Sequence, residues 1–300
     1  MKNFIIWIVV LAIIGAAIYF VSKKLSSNSE VVDTSKINTG AENNLNATST
    51  TNQNEPETVI GKSAESRDVI AYHFGTGNKE ILFIGGIHGG YEWNTSLLAF
   101  EAIDYLKANP SVIPANIKVT VLPVLNPDGL NKVVGTSGRF TPSSVPASSA
   151  TVVGRFNANN VDLNRNFDCD WQTSATWQNK TVSGGSKAFS EPESLAIKNY
   201  VETNKPVAIV VWYSSAGGVF ASNCHNGVSS ETSAITKIFA DASGYKAYNE
   251  FNFYEITGDM VNWFAKSNIP AVSVLLTNHT DTEWSKNQKG ILALLKYYAE

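Results

Sequence analysis

Positive charge, cysteine and charged residues in general are all scarce in this chain, and each shortage excludes something. Lysine and arginine total 23 against 26 acids, a formal net charge of −3. No cationic surplus is present to neutralise phosphates, which argues against a nucleic-acid partner. Charged residues make up only 16% and hydrophobic residues 43%, a balance that excludes a mostly disordered, a collagen-like or a coiled-coil chain. Two cysteines, Cys169 and Cys224, are too few for a disulfide scaffold or a four-cysteine zinc site. They can form one bridge if the domain lies outside the reducing cytosol. The strand-to-helix elbow G-x-S-x-G is also missing, so Ser214 or Ser215 with His279 and Asp281 is a poor serine-hydrolase set.

What is present divides the 300 residues into unequal parts. After a short flank (1–3), residues 4–21 form an uncharged apolar run. At about 1.5 Å per residue it spans roughly 27 Å, close to the hydrocarbon thickness of a bilayer. The run reads as a transmembrane anchor in preference to a cleaved signal, whose apolar region would be shorter. Lys2 on one side and Lys23 and Lys24 on the other leave its orientation nearly tied. Residues 22–57 are rich in Ser, Thr and Asn and contain no aromatic residue, so they are expected to be a disordered stalk. Residues 58–300 form the folded domain.

Strand-like and helix-like patterns alternate in that domain. Segments 68–74, 80–87, 117–125, 207–213 and 271–276 are β-branched or nearly continuous apolar runs, expected as strands. Segments 95–106, 191–202, 258–266 and 284–298 show helical spacing. Asn126-Pro127-Asp128-Gly129 is read as a closing turn. The fold class is therefore α/β with a mixed, mostly parallel sheet, and chemistry is expected just beyond the carboxyl ends of its strands.

Two such places carry reactive groups. His88 and Glu92 follow the strand at 80–87 within a glycine-rich turn, and an imidazole and a carboxylate so placed can share a zinc ion. Asn164 and Arg165 lie in the polar run VDLNRNF, and a guanidinium beside an amide suits a carboxylate.

Taken in order, GGIHGGYEW, LNPDGL, VDLNRNFDCDW, FSEPES and Tyr254 upstream of Gly258 and Trp263 resemble the zinc carboxypeptidase family. The likeness covers nearly all of 58–300, and VDLNRNF is its most specific part. It implies a roughly eight-stranded sheet between helices, one zinc ion, and a peptide or peptidoglycan stem with a free carboxylate as substrate. By the same resemblance His88 and Glu92 are the first two zinc ligands. Asn164 and Arg165 are the carboxylate clamp, and Tyr254 closes over substrate. Arg155 assists the oxyanion, with Arg139 as the alternative.

The chain also departs from that pattern. Three residues instead of two separate His88 from Glu92, an excess that Gly89 and Gly90 absorb. Ser214 stands at the position assigned to the third zinc ligand, and a hydroxyl is a poor neutral ligand. His225 and His279 are the histidines that can replace it. The general-base glutamate is replaced by Leu275 or, in the other register, Leu276; losing a positioned base typically removes about 10² to 10⁴ in rate. Asp281 and Glu283 are expected as acids at the start of the last helix. A Cys169 to Cys224 disulfide would staple two site loops and favour an extracytoplasmic domain. The resulting expectation is a membrane-anchored, extracytoplasmic zinc carboxypeptidase-like protein with catalysis weakened or lost. Its alternative is an active enzyme with a rearranged ligand set.

Overall fold

The computed structural model describes residues 56–300. The expected anchor at 4–21 and all but the end of the expected stalk at 22–57 lie outside the described residues. Among the described residues no helix is long and apolar enough to cross a membrane.

An eight-stranded sheet runs in the order β1-β2-β4-β3-β7-β10-β8-β9. Its strands are β1 (Glu57–Lys62), β2 (Asp68–Phe74), β3 (Lys79–Ile84), β4 (Ile117–Leu122), β7 (Ala208–Ser214), β8 (Gly218–Ala221), β9 (Lys246–Tyr248) and β10 (Ala271–Leu276). The central ladders β4-β3, β3-β7 and β7-β10 are parallel, whereas β1-β2, β2-β4 and β10-β8 are antiparallel. The sheet is therefore mixed, with a parallel centre. Strand β7 is buried along its whole length, which is why its sequence is apolar without alternation.

Helices cover both faces. Trp212 and Leu276 face one apolar cluster with residues of α1 (Trp93–Ala108), α5 (Ser230–Ser243) and α7 (Trp284–Ala299). Tyr213 and Leu275 face the other, with α4 (Pro192–Asn204) and α6 (Met260–Lys266). This alternation, with period two along each strand, decides which side chains reach the site. A separate hairpin, β5 (Ser174–Trp177) with β6 (Lys180–Ser183), adds Trp177 to the site wall.

One expected turn is a helix start. Asn126 caps α2 (Pro127–Val134), its side chain accepting from Gly129 N, with Pro127 in the first turn. Proline in that position loses no intrahelical hydrogen bond, so the residues that suggested a turn also suit a helix N-terminus. A single helical turn, α3 (Ser148–Thr151), follows in the next connection. The helix Ser230–Ser243 and strands β1, β8 and β9 were not foreseen; the strands are short or border polar segments.

Candidate functional site

A cavity of about 180 Å³ opens at the carboxyl ends of β3, β7 and β10, lined among others by His88, Glu92, Asn164, Tyr213, Leu275 and His279. His88 leaves β3 through Gly86, at φ +65°, and is followed by Gly89 at φ +44°. A Cβ on Gly89 would stand 2.7 Å from Gly154 O and from Leu130 N. Glycine is thus required where three loops meet.

His88 Nδ1 lies 2.9 Å from Glu92 Oε1, both side chains almost fully buried. That approach lacks hydrogen-bond geometry: His88 Nδ1, His88 Nε2 and Glu92 Oε2 are buried without a hydrogen-bond partner. Two ligand-type groups side by side with unsatisfied buried atoms fit a shared cation. Behind them Asp162 Oδ1 stands 3.4 Å from His88 Nε2, the kind of contact that orients an imidazole. Burial works to raise the Asp162 carboxyl, and Arg155 overcomes it, with His88 assisting, to hold it well below the usual carboxylate range. Arg155 donates from Nε to Asp162 Oδ2 at 2.9 Å, and its Nη2 stands 2.8 Å from the same oxygen. Its guanidinium carbon lies 4.4 Å over Trp177. Asp162 was missed in the sequence, although it sits two residues before Asn164 in VDLNRNF.

The wall opposite is different. In parallel register Leu275 pairs with Tyr213 and Leu276 with Ser214. Leu275 lines the cavity, whereas Leu276 packs in the cluster on the other face of the sheet. Of the two leucines, Leu275 is the one that faces the cavity. Ser214 borders the cavity, but its hydroxyl donates to Asn94 Oδ1 at 3.0 Å, away from His88. The β7 side chain that faces His88 is Tyr213, with ring centroids 5.8 Å apart. Its hydroxyl donates to Asn164 Oδ1 at 3.2 Å, and burial raises its pKa well above the ordinary value. Strand parity thus turns Ser214, the expected third-ligand position, toward α1 and sets Tyr213 against His88 in its place.

His279 borders the cavity, its ring tilted at 51° against Tyr91 with centroids 4.9 Å apart, its Nδ1 buried without a partner. His225 is exposed and paired with Asp170 at 2.7 Å, so it does not supply a ligand. Among the described residues no group of three or more His, Cys, Asp or Glu side chains is arranged to hold a metal ion. The His88–Glu92 pair fits a cation, but the residues present do not make a three-ligand zinc centre.

The expected clamp is also committed internally. Arg165 is 1% exposed; it donates from Nε and Nη2 to Thr176 O and from Nη1 to Asn164 O, and it does not line the cavity. Asn164 Nδ2 donates to Asp259 Oδ2 at 2.9 Å. Tyr254 stands at the cavity wall, 39% exposed. Arg139 forms a two-pronged surface pair with Asp104 and takes no part in the cavity. Asp281 and Glu283 precede α7 as expected, yet neither borders the cavity. Cys169 and Cys224 are bonded, with Cα atoms 6.1 Å apart.

A model of the zinc carboxypeptidase family matches residues 42–283. The chain belongs to that family. Among curated relatives, the human carboxypeptidase N catalytic chain is 28% identical over 181 residues, covering 56% of this chain and 37% of its own. Metallocarboxypeptidase A of Trichophyton rubrum is 26% identical over 232 residues, covering 68% and 53%. The chain therefore spans well under two thirds of the length of these relatives. Among solved structures, murein-tripeptide amidase from Escherichia coli O157 aligns with a TM-score of 0.57 at 19% identity, covering 81% of this chain and 92% of that one. Carboxypeptidase A of Helicoverpa armigera aligns at 0.60 and 22%, covering 81% and 66%. These likenesses establish the fold.

Proposed function

We propose that this protein binds the ends of peptides or peptidoglycan stems in the cavity at His88 and Glu92, with hydrolysis weakened or lost. The observation that carries the reading is the strand wall. Tyr213 and Leu275 face the cavity from β7 and β10. Neither supplies a third neutral ligand for zinc or a base for a bound water. Where zinc is bound it polarises a carbonyl and lowers the pKa of water; among the described residues His88 and Glu92 are the pair placed to hold it. Family membership and the murein-tripeptide amidase likeness support peptide or cell-wall fragments as the ligand class.

The apolar run at 4–21 supports a membrane anchor, and the Cys169–Cys224 bond supports an extracytoplasmic domain. The full-length protein, incubated with muropeptides and short peptides in the presence of zinc, is expected to bind by calorimetry and to leave the ligands uncut by mass spectrometry. Steady release of terminal residues would refute the loss of catalysis, and absence of all binding would refute the ligand class.

A further inference from the structure

Between β9 and α6 the chain reads Asn-Glu-Phe-Asn-Phe-Tyr-Glu at 249–255, and this segment forms one lip of the cavity through Phe251, Phe253 and Tyr254. Phenylalanine is ordinarily buried. Here Phe253 is 54% and Tyr254 39% exposed, and among the described residues they are the two aromatic side chains in the set of large apolar residues left open to solvent. Adjacent exposed rings at the mouth of a cavity mark a surface kept for a ligand.

Neighbouring rings hold these two in place. Phe220 and Tyr248 stack with centroids 4.4 Å apart and planes 4° from parallel. Phe253 stands edge-on to both, at 5.6 and 6.1 Å, and Phe251 touches Phe253 at 5.1 Å and Tyr254 at 5.0 Å. Tyr248 is taken up by Phe220 and by Lys246, whose Nζ lies 4.8 Å over its ring. The rings left for a ligand are therefore Phe253 and Tyr254.

The chemistry of the occupant follows from the side chains between the rings. Asn249, Glu250, Asn252 and Glu255 are exposed, and among the described residues none of these four side chains forms a hydrogen bond or an ion pair. A wholly apolar occupant would cover these amides and carboxylates without giving them partners, which costs free energy for each group buried. A basic peptide would satisfy the two glutamates but would meet Lys246 on the same lip. A sugar ring meets both demands. Its C–H face packs on an aromatic ring, and the hydroxyl and acetamido groups on its rim donate to carboxylates and exchange hydrogen bonds with amides. A stem of three residues reaches about 10 Å from its free end, so a sugar at its far end comes to lie over the lip while that free end occupies the cavity.

We infer that the lip at 249–255 is a saccharide platform: Phe253 and Tyr254 stack on a sugar still attached to the stem, so the preferred ligand is a muropeptide and a stem already freed of its glycan binds more weakly. This rests on the reading of the cavity as a site for peptidoglycan stems. The simpler role for the rings, packing the segment against β8 and β9, predicts no contribution from a sugar.

The test is calorimetry on the full-length protein with zinc present and three probes: a tripeptide stem, the same stem carrying its N-acetylated disaccharide, and the disaccharide alone. The disaccharide stem is expected to bind at least about tenfold more tightly than the bare stem. That ratio should fall toward one in Phe253→Leu, which keeps apolar bulk and removes the ring, and should persist in Phe253→Trp. Binding of the bare stem with no gain from the disaccharide overturns the platform and leaves the peptide-end reading intact. A ratio unchanged in folded Phe253→Leu overturns it equally, because apolar bulk would then suffice. Binding of the disaccharide that depends on Phe253, with no affinity for the bare stem, upholds the platform and refutes the peptide-end reading. Failure of all three probes to bind overturns both.

Discussion

The two walls of the cavity have kept different things. The loop wall, between β3 and α1 and along residues 155–165, holds His88, Glu92, Arg155 and Asp162 in one buried charged network. The strand wall, from β7 and β10, offers Tyr213 and Leu275. A charged network in a protein interior is costly to break once assembled, because each remaining charge loses its partner. A side chain at a strand end can change with little effect on the sheet behind it. The loop wall therefore serves stability as well as any ligand, whereas the strand wall bears mainly on what the cavity binds.

The largest expected effect comes from rebuilding the strand wall. Tyr213→His with Leu275→Glu restores a third ligand and a base at facing positions of the parallel ladder. Zinc should then bind near one per chain by metal analysis, and peptide hydrolysis should rise by about 10²-fold or more. The same change made at Ser214 and Leu276 should give neither, because those side chains point to the other face.

The loop wall can be broken in turn. Arg155→Met leaves the buried Asp162 carboxylate without its cation, at a cost of about 3 to 5 kcal/mol in chemical denaturation. Asp162→Asn in the same background should recover part of that loss. Cys169→Ser with Cys224→Ser removes a cross-link between residues 55 apart in sequence and is expected to cost about 2 to 5 kcal/mol.

The smallest effect lies outside the cavity, in the turn before α7. Burial alone would raise the Glu283 carboxyl, but bonds from Lys286, Tyr245 and Thr277 bring it down to about 2. A depressed carboxyl pKa contributes stability that is fully present above about pH 4.3 and is lost as pH falls through the folded value. Glu283→Gln should therefore flatten the stability profile between about pH 4.3 and 2 while leaving the cavity's ligand preference unchanged.

Much of this was legible in the residues. The central strands and most helices followed from long apolar runs and helical spacing, and His88 and Glu92 from their position after a strand. Other features depended on information that a linear pattern does not carry. Whether Ser214 or Tyr213 faces the cavity turns on a shift of one residue, and strand parity becomes visible only when β7 is set in its sheet. Arg165 was an apt guanidinium for a carboxylate by composition, yet carbonyls of Thr176 and Asn164 took its donors. Asp259 fell inside the segment 258–266 expected as helix and is instead its cap; its second partner, Asn164, lies 95 residues away in sequence.

Zinc stoichiometry of the full-length native chain after equilibrium dialysis against buffered zinc, with peptide turnover followed in the same samples, bears most directly on the strand wall. Occupancy well below one ion per chain, together with no release of terminal residues, is the expected outcome. One tightly held ion with steady turnover would mean that a further ligand and a base reach the cavity, and would contradict the assignment of Tyr213 and Leu275.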